Sequence, residues 1–385
     1  MPSDDMPVEP FGEAGDTLRK ETDMKNSFGQ SITLTLFGES HGAAIGSVLD
    51  GLAPGLKIDE AFIKEQLSLR IAGGAISTAR KEPDEIEIVS GVFNGCTTGT
   101  PLCILIRNKN TKSTDYEKTK DLMRPGHADY TAFCKYHGFQ DYRGGGHFSG
   151  RITAALVAAG AILLFALREK NIYIGTHINR CAGIDDAAFA DITQDVKTLC
   201  DKEFPVLDDA AGEKMREAIL AAKADCDSVG GILQTAITGL PAGLGEPWFD
   251  TFEGILSHAL FSIPALKGVE FGAGFAFADM RGSSANDSFY YDNDKIYTHT
   301  NHNGGINGGI TNGMPVIFNS VIKPTPSIAK EQATIDIKEG VNASLSIKGR
   351  HDPAIIHRAR AVVHAVTALV VSDMLALRYG TDYLV

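Results

Sequence analysis

Between Arg151 and Arg168 lie 16 residues, 152–167, of which only Thr153 is polar. A membrane span needs roughly 18 or more such residues. The run therefore reads as a helix buried inside a protein, with no membrane as partner, and the rest of the chain has to enclose it. At 385 residues the chain is long enough to do so as one large domain or two ordinary ones, without disulfide or metal staples. Its 43% hydrophobic and 22% charged fractions exclude disordered, collagen-like and coiled-coil classes.

The amino terminus, MPSDDMPVEPFGEAGD, is acidic and has no apolar core, so it is neither a signal nor a transit peptide. Residues 1–23 are expected to form a disordered leader, with Met24 just ahead of the first ordered-looking segment. The six cysteines (96, 103, 134, 181, 200 and 226) include no Cys-x-x-Cys pair, which argues for reduced thiols, a cytoplasmic location and no structural zinc. A formal charge of −12 disfavours nucleic acid as a partner. An anionic small molecule would need a local cationic pocket.

Alternation predicts a strand over 31–37, and Asp59 ahead of Phe62, Ile63, Gln66 and Leu67 predicts a capped amphipathic helix. Further strands are expected at 85–89, 102–106, 172–174, 231–238, 269–277, 316–322, 334–337 and 344–347. One charged helical stretch is expected over 185–225 and a final helix over 355–377. No linker or internal repeat divides the chain. Candidate site segments recur early, midway and late, so residues 24–385 are expected to form a single α+β catalytic domain.

Glycine, at 41 residues, is concentrated in clusters that each carry ionisable side chains. They are Gly38-Glu-Ser-His-Gly42, Arg124-Pro-Gly-His-Ala-Asp129, Arg143-Gly-Gly-Gly-His-Phe-Ser-Gly-Arg151, and Asn301-His-Asn-Gly-Gly-Ile-Asn-Gly-Gly-Ile310. Lys323-Pro-Thr-Pro-Ser327 and Gly349-Arg-His-Asp-Pro353 complete the set. Any one alone is a tight turn with a hydrogen-bonded side chain; six together point to a site where backbone closely approaches a ligand. No dinucleotide fingerprint or Walker loop is present. His41, beside Ser40, and His127, beside Arg124 and Asp129, suit proton transfer near neutral pH. A zinc site from His41, His127, His147 and His302 lacks paired ligand spacing. The Lys323–Ser327 turn offers an ammonium, hydroxyls and amides to a phosphate, and the helix start at Arg151 offers amides to an anion.

Taken in order, these motifs resemble the chorismate synthase family from about Lys25 to the final helix. The resemblance implies a β-α-β sandwich, a homotetramer and reduced FMN as cofactor. It also implies elimination of phosphate from 5-enolpyruvylshikimate 3-phosphate to give chorismate. In some members NADPH reduces the flavin. Carried over position by position, it implies His41 with Ser40 as proton donor to the leaving phosphate, His127 as acting near the flavin, and Asp352 as proton acceptor from it. Arg70, Arg80, Arg124, Arg151 and Arg350 are implied to face the anionic substrate. His147, Phe148, Ser149, Ser284, Ala285, Gly308, Lys323, Pro324, Thr325, Pro326, Ser327 and Arg350 are implied to hold the flavin.

The chain departs from the family pattern in several places. The loop 69–80 keeps Arg70 and Arg80 but has Ala72 and Ala75 where proline or arginine is usual. His147-Phe148 replaces Arg-Ser, and His357 and His364 replace Pro and Glu. The alternative is thus a divergent FMN-binding paralogue with altered or lost specificity. A flavin-binding scaffold and a metal-dependent hydrolase using the loop histidines are further readings.

Overall fold

The computed structural model describes residues 25–71, 74–77, 84–109, 117, 119–200, 202–347 and 352–385. The apolar run forms a helix, Thr153–Glu169, in which every residue from 153 to 164 is buried. A second long helix, Ile356–Tyr379, packs along it with an equally continuous buried stretch. Helices apolar on every side need cover on every side. Both are long and apolar enough to cross a membrane by composition, yet 83% and 94% of their apolar windows lie inside the protein. At their crossing, a Cβ on Gly160 would stand 2.5 Å from the Cα of Ala365, so only glycine lets the helices approach this closely. A bulky residue there would overpack the core, at a cost of about 1–3 kcal/mol or more.

Two antiparallel sheets cover the pair. The first runs in the order Ser27–Phe28, Thr33–Gly38, Ala44–Asp50, Leu102–Arg107, Ile86–Ser90. The second runs Leu266–Phe271, Val316–Ile322, Gly231–Thr238, Tyr173–Cys181, Ile184–Asp185. The helix Thr153–Glu169 packs on the first sheet and the C-terminal helix on the second. The layers are those of an α+β sandwich. Asp373, buried on the C-terminal helix, accepts the backbone N–H groups of Gln30, Ser31 and Ile32 at 3.0, 2.7 and 2.8 Å. The turn into the first sheet is thereby tied to the last helix.

Several expected boundaries move. The strand expected over 269–277 ends at Phe271, because Gly272 turns the chain (φ 55°) and the Glu270 carboxylate accepts the Phe275 N–H at 3.1 Å. The strand expected at 172–174 runs to Cys181. The single helical stretch over 185–225 is two helices, Ile192–Cys200 and Asp209–Ala224. Between them Phe204 and Val206 turn inward, the Pro205 carbonyl accepts from Ile178 N–H at 2.7 Å, and Asp208 caps the second helix. The last two strands are displaced to Gln332–Asp336 and Val341–Leu345. Strand Ala44–Asp50, central to the first sheet, was not expected at all. The proposed leader lies outside the described residues.

Candidate active site

A cavity of about 1180 Å³ opens where the first sheet meets the starts of both long helices. Part of its wall is apolar, from Phe28, Leu34, Leu36, Leu156, Val362 and Val366. The rest carries Ser40, His41, Arg70, His127, Arg151 and Asp352. Ligand pockets run to roughly 300–1,000 Å³, so this one stands at the large end.

The loop after strand Thr33–Gly38 delivers Ser40 and His41, both buried. Its partner is the glycine run after Arg143. Ser40 N–H donates to Gly146 C=O at 3.1 Å, and its hydroxyl donates to the carbonyls of Arg143 and Gly144 at 3.1 and 3.2 Å. With that hydrogen committed, Ser40 Oγ accepts from His41 Nδ1 at 3.1 Å, which makes Nδ1 the nitrogen that keeps its hydrogen. Gly144 and Gly145 have φ of 59° and 84°. A Cβ on Gly144 would lie 2.2 Å from His41 Cε1, and one on Gly145 would lie 3.3 Å from His127 Cε1. The two imidazoles thus flank one bare stretch of backbone, the approach for which the glycines are needed.

His127 is held the same way. Its Nδ1 donates to Asp129 Oδ1 at 2.8 Å, while Arg124 grips the same carboxylate with Nε and Nη2, each at 2.7 Å. Burial pushes the Asp129 carboxyl up, but the hydrogen bonds from His127 and Arg124 outweigh it and hold it well below the usual carboxylate range. Asp129 is therefore a fixed anion, and His127 presents Nε2. Arg124 is not among the cavity-lining residues; its fork is occupied by Asp129.

Elsewhere on the cavity wall, Asp84 joins two guanidiniums. Its Oδ2 accepts from Arg70 Nη1 at 2.5 Å and its Oδ1 from Arg151 Nη1. Arg70 also donates Nη2 to Gly150 C=O at 3.0 Å, and its Nε is buried without a hydrogen-bond partner. Burial draws the Arg70 guanidinium below its ordinary value; Asp84 opposes this, and Arg358 and Arg151 add to it. Asp352 accepts from Arg358 Nη1, and Arg358 Nε reaches the carbonyl of Arg70 at 2.7 Å. The cavity wall is thus a cluster of cations balanced by two carboxylates, suited to a multiply charged anion.

Lys323, Thr325, Pro326 and Ser327 line the same cavity, with Lys323 Nζ on the carbonyl of Gly126. Thr325 Oγ1 is buried without a hydrogen-bond partner. His147, Phe148 and Ser149 also line it, and His147 Nδ1 donates to Gly38 C=O at 2.8 Å. An orphan hydroxyl beside an ammonium and an apolar wall fit a phosphorylated, flat, largely apolar cofactor. Pro324, Ser284, Ala285 and Gly308 are not among the cavity-lining residues; Ser284 and Gly308 are exposed. Arg80 and Arg350 lie outside the described residues. His302 is drawn to Asp287 (3.5 Å) rather than to the other loop histidines. In the altered loop, Ile76 is buried and Ser77 Oγ bonds His357 Nε2 at 3.0 Å.

Asp84, Arg358 and Asn108 were missed from sequence. For Asp84 the signal was its position closing the Arg80-Lys-Glu-Pro-Asp84 segment. For Arg358 it was an arginine in the first turn of a helix that follows Asp352.

The family model described as chorismate synthase matches residues 32–376. A chorismate synthase of Dehalococcoides mccartyi is 47% identical over 360 residues, covering 93% of this chain and 98% of that protein. One of Pyrococcus abyssi is 44% identical over 351 residues, covering 91% and 97%. A crystal structure of a chorismate synthase, 26% identical, superposes with a TM-score of 0.72 over 92% of this chain and 94% of that one.

Proposed function

The chain belongs to the chorismate synthase family, and from that premise we propose how its cavity performs the elimination of phosphate from 5-enolpyruvylshikimate 3-phosphate to give chorismate. The protein is a carbon–oxygen lyase of the shikimate pathway. The observation that carries the reading is that two Nδ1-anchored histidines flank Gly144 and Gly145 in one cavity with Arg70 and Arg151.

In the reaction the C3–O bond breaks with its electron pair on phosphate, the C6–H bond breaks, and a second ring double bond forms without net redox change. Reduced FMN, when bound, would supply transient electron density for expelling the phosphate and an acceptor for the C6 hydrogen, which is not acidic. Lys323, Thr325 and Ser327 would hold its phosphate, and His147, Phe148 and Ser149 its ring system. Arg70, Arg151 and Arg358 orient the substrate's phosphate and carboxylates and stabilise charge that grows on the departing group. His41 delivers a proton to the leaving phosphate through Nε2, while Ser40 keeps Nδ1 protonated. His127, oriented by the Asp129 anion, offers Nε2 beside the flavin site, and the Asp352 carboxylate, steadied by Arg358, receives a proton at an oxygen. On family grounds the enzyme works in the cytoplasm as a homotetramer, which light scattering in solution checks.

The test is an anaerobic assay with reduced FMN and the enolpyruvyl substrate, followed at the chorismate absorbance. Chorismate formation supports the reading. Tight flavin binding without chorismate would make the chain a divergent paralogue, and purified protein carrying metal and no flavin would make it a hydrolase.

A further inference from the structure

Asn108 stands one residue past the end of strand Leu102–Arg107, beside the return of the His41 loop into strand Ala44–Asp50. Its backbone N–H donates to Ala43 C=O at 3.2 Å. Its side-chain amide donates from Nδ2 to two carbonyls of that loop, Glu39 at 3.0 Å and Gly42 at 2.9 Å. Because both Nδ2 hydrogens go to acceptors that cannot donate, the amide has one orientation, with Oδ1 turned to Arg151 Nε at 3.2 Å. Arg151 is held at its far end by Asp84, which also holds Arg70. One side chain therefore spans the loop that presents the proton donor and the guanidinium that faces the anion.

We propose that Asn108 is a positioning residue for the elimination: it fixes His41 relative to Arg151, so that the proton donor and the phosphate-facing cation act on the same group. The inference rests on the proposed reading of His41 and Arg151. A loop pinned at Glu39 and Gly42 has little freedom at His41 between them. A displacement of about 1 Å in a reacting group can reduce rate by roughly 10²-fold.

Asn108→Asp separates the two halves of the contact. A carboxylate keeps the acceptor for Arg151 and loses both donors to the loop, whereas Asn108→Ala loses both halves. The proposal expects kcat to fall roughly 10- to 100-fold in both variants, with unchanged flavin affinity and a melting temperature within a few degrees of wild type. It expects inorganic phosphate, titrated calorimetrically, to bind Asn108→Asp more weakly than Asn108→Ala, because the new carboxylate faces Arg151. Wild-type kcat in Asn108→Asp overturns the proposal, since the loop would not need fastening. If the aspartate variant melts early, Asn108→Ser, which is small and polar, is judged by the same criteria. Should the unmodified enzyme make no chorismate, the proposed reaction fails and not this contact. The contact is then judged by NMR of the His41 ring protons: an unmoved resonance in Asn108→Asp sinks it.

Discussion

Two pairs of histidines in this molecule have opposite fates. His41 and His127 stand on loops around the cavity, each with Nδ1 bonded to an oxygen. His357 and His364 stand on the C-terminal helix, both buried, bonded through Nε2 to Ser77 and Thr176, each at 3.0 Å. Burial, helped by neighbouring arginines, draws the second pair down to about 3, so both are neutral at physiological pH. What differs is the setting: His41 and His127 line the open cavity, whereas His357 and His364 are packed into the protein along the C-terminal helix.

The comparison breaks most directly at His41. His41→Ala is expected to lower turnover roughly 10²–10⁴-fold with little change in melting temperature, read by single-turnover kinetics and a thermal scan. A comparable fall in His364→Gln would remove the distinction between the pairs. Asp129→Asn strikes the backing of His127 and leaves Arg124 without its anion. Turnover should drop about 10- to 100-fold, with kcat affected more than KM. The Asp129 carboxyl is depressed in the folded state, so its stabilisation is full above about pH 4 and lost as pH falls further. The asparagine variant should lose that acid dependence.

Lys323→Met should weaken FMN binding by about 1–3 kcal/mol in a fluorescence titration. Unchanged affinity would put the flavin phosphate elsewhere. For the buried pair the effect is one of pH. The unfolded chain takes up protons near pH 6.5 while the folded rings do not, so stability falls as pH drops below about 6.5 toward 3. At pH 5 the loss is about 2 kcal/mol for each ring. Denaturant melts of His364→Gln across pH 5 to 7 should show a slope reduced by that share.

The elements visible in the sequence were those that advertise themselves locally. The run 152–167 had to be a buried helix, and the glycines beside Arg143 and His147 had to be a loop under close approach. Strand Ala44–Asp50 stayed hidden because Gly46 interrupts its alternation. Gly46 is there because a Cβ would lie 2.3 Å from the Phe37 ring and 2.5 Å from the Ile104 carbonyl. The same holds at the site. Ser40, His41 and His127 sit beside their own partners in sequence and could be picked out. The clasp of Asp84 on Arg70 and Arg151 and the bridge from Asn108 join segments far apart in the chain. Such pairings leave no periodic trace, and only the packed sheet ends bring them within reach.

The three backbone bonds that Asp373 accepts from residues 30–32 bear on how the protein is made. Partners more than 340 positions apart cannot meet until Asp373 has left the ribosome. Contacts of such long range are formed late and slowly. The strands of the first sheet can be covered earlier by helix Thr153–Glu169, but the turn at 30–32 must wait for the helix that carries Asp373. A chain stopped short of Asp373 would leave the N–H groups of residues 30–32 without their acceptor. Such a chain is expected to be a client for chaperones rather than a smaller working enzyme.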